Sequence, residues 1–179
     1  MGSADLDPID LLVEVIKDHT PESIWTDSPF AGYRLVGNTN RGEIGEDFIR
    51  RYLKQARISV GNGSRVTPTD LWIAGVQFEV KTASLGANGT FQFNHVRLDK
   101  QYRYLLCLGI CPHSIVFSAW RKGALSEGEA GTLVRMAEGQ STTHKLTKKL
   151  ADMKPIEELP RWIHDEIVDR ALPCNQLLD

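Results

Sequence analysis

Asp70-Leu71-Trp72-Ile73-Ala74-Gly75-Val76-Gln77-Phe78-Glu79-Val80-Lys81 reads as two short strands around a tight turn. Val76, Phe78 and Val80 alternate with Gln77, Glu79 and Lys81, the period-two pattern of a strand with one core face and one polar face. A hairpin symmetric about Ala74-Gly75 pairs Ile73 with Val76, Trp72 with Gln77 and Leu71 with Phe78, and so sets Asp70 opposite Glu79. Register is the sensitive step: Ala-Gly is not the preferred two-residue turn, and a slip of one residue would carry Asp70 to the other face.

Two carboxylates facing each other across a strand pair repel and destabilise the sheet. A hard divalent cation bound by carboxylate oxygens turns that repulsion into a binding site. Lys81, two residues beyond Glu79 on the same face, puts an ammonium where it can orient a nucleophile, assist its deprotonation or stabilise charge in a transition state. Acid, acid and lysine in this arrangement suit phosphodiester hydrolysis.

Outward from the hairpin, Arg41 to Arg57 reads as a helix, with Ile44, Phe48, Ile49, Tyr52 and Leu53 as its apolar stripe. Asp7-Pro8 opens an earlier capped amphipathic helix that ends near His19-Thr20-Pro21. The stretch from Pro21 to Asn40 is irregular, anchored by Trp25, Phe30 and Tyr33. Ile58 to Val60 is a strand before a Gly61-Asn62-Gly63 turn, and Phe91-Gln92-Phe93 has strand character. Leu98 to Leu108 reads as a helix with Leu98, Tyr102, Leu105 and Leu106 inward, Ser114 to Trp120 as a strand, and everything after Gly123 as helices joined by turns.

Pro68-Thr69-Asp70, then Glu79-Val80-Lys81, resembles the signature of the PD-(D/E)xK nucleases, which include many restriction endonucleases, resolvases and repair nucleases. The resemblance covers about residues 41–120, and its one departure is Thr69 between proline and aspartate. It implies an α/β fold with a restriction-endonuclease-like core (helix, three-strand meander, helix, strand) and additional helices at both ends. The expectation is a single nuclease domain over 1–179, with a core at about 41–120, an N-terminal helical segment at 1–40 and a C-terminal one at 124–179. It further implies that Asp70 and Glu79 hold Mg²⁺, with Mn²⁺ as a substitute, that the Val80 carbonyl is a further ligand and that Lys81 is the catalytic lysine. The family often adds an acid from the first helix; Glu46 is the choice here for both catalysis and metal binding, and Glu43 the alternative.

The expected activity is endonucleolytic cleavage of double-stranded DNA, with a sequence-specific type II restriction enzyme as the leading reading. The alternatives are a structure-selective nuclease, such as a junction resolvase or repair enzyme, and a non-cleaving DNA-binding module of the same fold. Asn94, His95, Arg97 and Lys100 follow the catalytic strand and are side-chain types that meet base edges or phosphates. A polar loop with a helix cap accounts for them equally well. Cutting both strands with one centre per chain is most simply done by two chains, so a homodimer or a partner subunit is expected.

Composition bounds these readings. The chain has 179 residues, 41% hydrophobic and 25% charged, as ordinary globular domains do, and three cysteines without framework spacing. Cys107, Cys111 and His113 lack a fourth ligand at zinc-site spacing. Three aspartates in the first ten residues do not suit a secretory signal, and no apolar run is long enough to cross a bilayer, so the expectation is a cytoplasmic protein with no membrane partner. The net charge of −2 supplies no global attraction for a polyanion, which must meet local basic groups. The candidates are Arg50, Arg51, Lys54 and Arg57; Arg97, Lys100 and Arg103; and Lys145, Lys148, Lys149 and Lys154, each also readable as a solvated helix face.

Overall fold

Ala74 and Gly75 both adopt positive φ, 49° and 78°, as a type I′ hairpin turn requires. This turn joins strand β2 (Leu71–Ile73) to β3 (Val76–Ser84). Leu71 pairs with Phe78, Trp72 with Gln77 and Ile73 with Val76, the register that the alternation predicts. The computed structural model describes residues 7–19, 23–63, 69–137 and 142–171. Pro68, Ser141, Cys174, Thr20 and Pro21 lie outside them.

The architecture is mixed α/β. Six strands form a mixed sheet in the order β1 (Val60–Asn62), β2, β3, β5 (Tyr104–Ile110), β6 (Ile115–Arg121) and β9 (Lys154–Pro155). Only β3 and β5 run parallel among its pairs. A second, three-stranded antiparallel sheet is ordered β4 (Thr90–Val96), β8 (Thr143–Lys149) and β7 (Leu133–Ala137). Helices α1 (Pro8–His19), α2 (Asn38–Gln55), α3 (Lys122–Ser126) and α4 (Leu159–Ile163) complete the framework, and α4 runs on through a π-helical turn at His164–Val168. Among the described residues no helix is long and apolar enough to cross a membrane.

The largest correction concerns residues 98–108. They form no helix: residues 97–103 lie outside helices and strands, and β5 follows as the central strand of the sheet. Every residue of Tyr104–Ile110 is buried. A strand covered on both faces carries a continuous apolar run, which contains helical spacing by accident and cannot be told from a buried helix by periodicity. The region after Gly123 is likewise not all helical. It holds β7 and β8, so His144 and Lys145 lie on a strand rather than on a helix. Gly61 and Asn62 belong to β1 rather than to a turn.

Helix α2 begins three residues earlier and ends two earlier than the apolar pattern suggests. Its end is a Schellman motif: Arg57 takes φ 61°, its N–H donates to Lys54 O at 3.0 Å, and Ile58 N–H donates to Leu53 O at 2.9 Å. Buried Leu53 and Ile58 supply the accompanying apolar contact and turn the chain toward β1. Ile44 is not in the inward stripe, being 43% exposed; the buried position there is Gly45, one turn before Ile49. A Cβ on Gly45 would sit 1.9 Å from Thr82 Oγ1, so the missing side chain is what lets α2 approach β3.

The two sheets meet by the same device. A Cβ on Gly109 of β5 would lie 2.8 Å from the Phe91 ring of β4, and Phe91 and Phe93 are fully buried. On the remaining side, Trp162 of α4 meets the rings of Tyr104 and Phe117 edge-on at 5.7 and 6.5 Å. Trp25, Phe30 and Tyr33 do anchor their segment, and Ser28 Oγ donates to Pro112 O. Helix α1 is capped by Asp7, whose Oδ1 accepts from Ile9 N–H at 2.8 Å, and none of its residues is buried.

Candidate active site

Glu79 points from the middle of β3 and has no exposed surface. An isolated carboxylate in that position is strongly disfavoured, so the charge has to be paired. Two lysines do this. Lys81 Nζ donates to Glu79 Oε1 at 2.7 Å, and Lys100 Nζ donates to both Glu79 oxygens at 2.9 Å. The polar face predicted for β3 is therefore covered by the lysine side chains, which are themselves only 20% and 25% exposed.

Asp70 precedes β2 and stands across from Glu79 by continuation of the hairpin register. Its Oδ2 accepts the Val80 N–H at 2.8 Å, and its Oδ1 lies 3.8 Å from Lys100 Nζ. One residue before it, buried Thr69 donates its hydroxyl to Phe78 O at 2.8 Å. Thr69 thus ties the acid-bearing segment to β3. Burial pushes the Asp70 carboxyl above the usual carboxylate range; Glu79 adds to the rise, and the Val80 N–H and both lysines oppose it.

Glu46 reaches the same centre from α2, brought there by the close approach at Gly45. Its carboxyl is also raised, first by burial and then by Asp70, while Lys81 and Arg50 pull it down. Glu43 faces solvent and lines no part of the cleft, so Glu46 is the helix acid that the fold brings to the centre. Among the described residues no three His, Cys, Asp or Glu side chains converge tightly enough to hold a metal by themselves. The oxygen donors on hand are the Asp70 and Glu79 carboxylates and the Val80 carbonyl, with Glu46 beside them. That donor chemistry fits a hard cation that keeps several of its waters.

A cleft of about 450 Å³ opens on this group. One wall is α2 with Glu46, the floor is β3 from Val80 to Ser84, and the opposite wall is β4. On β4, Phe91 and Phe93 go into the core while Gln92 and Asn94 face out and line the cleft, with exposed His95 at its edge. His95 adopts φ 58° within the irregular β4–β8 pairing, and its N–H meets Met136 Sδ at 3.4 Å. A larger cavity of about 780 Å³ lies between Gln77, Arg103 and Lys122, and none of Glu46, Asp70 and Glu79 lines it.

The other expected contact residues fall elsewhere. Arg97 is ion-paired with Asp99, and Lys100, read from the sequence as a DNA contact, belongs to the acid centre. Lys148 is not on a solvated face: it is buried, donates to Ala130 O at 3.1 Å and lies 5.0 Å from the Trp120 ring centre. Arg50 and Arg51 both pair with Asp47. Sequence reasoning missed the place of Lys100 because no local pattern links it to Glu79; only the β3–β5 pairing brings residues 97–103 alongside. The alternation in Phe91-Gln92-Phe93-Asn94 did carry a signal for the cleft-facing side. No protein-family model matches this chain, and no curated protein matches its sequence.

Proposed function

We propose that the chain is a Mg²⁺-dependent endonuclease of the PD-(D/E)xK type that hydrolyses phosphodiester bonds of double-stranded DNA, with Mn²⁺ able to substitute. The observation that carries this reading is the fully buried Glu79, opposed by Asp70 and bonded at 2.7 Å to Lys81, both of which line a polar cleft together with Glu46. A sheet face that was only decorated with charges would leave Glu79 in water.

Asp70, Glu79, the Val80 carbonyl and Glu46 would hold the cation. When bound, the cation supplies positive charge to phosphate oxygens and makes water a better nucleophile. Lys81, fixed by Glu79, holds its ammonium beside the reacting phosphate and stabilises the negative charge that builds there. The raised carboxyl of Glu46 suits it to take a proton from water. Gln92, Asn94 and His95 offer donors and acceptors for base edges or phosphates along the cleft wall. Helix α2 and the β1–β2–β3 meander follow the order that such nucleases share, whereas residues 98–108, expected to form the second helix, hold an irregular segment and the start of β5.

Purified protein with Mg²⁺ should cleave plasmid DNA, and EDTA should stop it. Asp70→Ala or Lys81→Ala should slow cleavage by at least about a hundredfold while circular dichroism stays native. Undiminished cleavage by both variants sinks the proposal. Discrete fragments identify a sequence-specific restriction enzyme, preference for synthetic junctions a structure-selective nuclease, and binding without cleavage a DNA-binding module.

A further inference from the structure

Lys100 occupies the place that a cation shared by Asp70 and Glu79 would need. Its Nζ lies 2.9 Å from each Glu79 oxygen and 3.8 Å from Asp70 Oδ1, whereas Lys81 engages only Glu79 Oε1. A divalent ion shared by Glu79 and Asp70 would have to compete with that ammonium for the side of Glu79 that faces Asp70. The backbone around Lys100 is firmly held: Lys122 Nζ donates to Lys100 O at 2.6 Å, and Arg103 N–H donates to Gln77 O at 3.0 Å. The side chain itself is partly exposed and has four rotatable bonds, so it can leave without any movement of the main chain.

We infer that Lys100 is an exchangeable counter-ion of this centre: it neutralises Glu79 before the cation arrives, is expelled by it, and then meets a phosphate of the nucleic acid. This rests on the metal-dependent reading above and adds to it a second lysine with a distinct duty. Before exchange, Glu79, Asp70 and Glu46 face Lys81 and Lys100. After exchange, Lys81 remains on Glu79 while Lys100 is free for the polyanion. Cation and substrate would thereby favour each other, since each takes one member of the Lys100–Glu79 pair.

The test measures Mn²⁺ binding to the full chain by calorimetry, without DNA, for the wild type and Lys100→Met. If the capped state predominates, the apparent affinity is reduced by the fraction of open sites, and Lys100→Met should bind at least about tenfold more tightly. Lys81 stays on Glu79 in that variant, which protects the fold. A second measurement needs no loss of charge: in protein labelled with ¹³C-lysine, the Lys100 signal, assigned by its absence in Lys100→Arg, should shift on Mg²⁺ saturation. Equal or weaker Mn²⁺ binding by Lys100→Met, or an unmoved Lys100 signal at saturating Mg²⁺, overturns the exchange and leaves the metal site standing. Failure of both wild type and Lys100→Met to bind a divalent cation overturns the metal site, and the exchange with it.

Discussion

Glu79, fully buried, accepts hydrogen bonds from two ammonium groups. Removing one leaves the other in place, so Lys81→Met and Lys100→Met should each fold. Removing both leaves an uncompensated buried carboxylate, a situation that costs about 3–5 kcal/mol. Urea denaturation should therefore show the double variant losing more stability than the two single losses added together; simple additivity would show that the lysines act independently. Asp70 presents the opposite case. Burial and Glu79 raise its carboxyl pKa above the ordinary 3.8, so folding favours the protonated form. The stability this contributes is fully present below the unfolded pKa and is lost as pH rises through the raised folded value. Asp70→Asn retains an oxygen to accept the Val80 N–H and carries no charge to bury. Its melting temperature should exceed that of the wild type at neutral pH, and the gap should close on acidification toward about pH 4. A gap that widens on acidification would contradict the raised pKa.

At the scale of elements, the contact of α2 with β3 determines whether Glu46 reaches the acids. Gly45→Ala would drive a Cβ to 1.9 Å from Thr82 Oγ1 and 2.9 Å from Thr82 Cβ. Overpacking of this kind costs about 1–3 kcal/mol. Thr82→Ala takes away the nearer atom, so a double-mutant cycle by chemical denaturation should recover part of the loss; full additivity would mean that helix and strand do not meet there. The hairpin was legible in the sequence because its alternation is unambiguous over Val76 to Lys81, and the register that pairs Leu71 with Phe78 followed from it. The shared side of Asp70 and Lys81 followed as well, whereas Glu46, which lines the cleft, was suggested by the family resemblance together with the spacing of one helix. Strand β5 was not legible, because a strand buried on both faces has no polar side to reveal its period. Gly45 was passed over for Ile44 since an apolar scan rewards side chains, whereas here the contact depends on having none. The position of Lys100 depends on the β3–β5 pairing, and once residues 98–108 were read as a helix it could not be found.

Across the whole molecule, the cleft exists because two sheets are fastened together at Phe91 and Gly109. Phe91 is fully buried, and Phe91→Ala should cost about 3–5 kcal/mol in a urea titration. Because β4 supplies the wall with Gln92 and Asn94, the same change should weaken nucleic-acid binding even where the acid centre is intact. Unaltered binding in a destabilised Phe91→Ala protein would separate the wall from recognition. The pairing of β4 has one more consequence. Its sheet neighbour is β8, so residues 90–96 are held by residues 143–149, a contact of long sequence separation with β5, β6, α3 and β7 in between. During synthesis the acids and both lysines leave the ribosome well before Thr143 does. A nascent chain thus carries its complete charged centre for a time with the edge of β4 still waiting for β8, and the wall of the cleft is paired only once residues 143–149 have emerged.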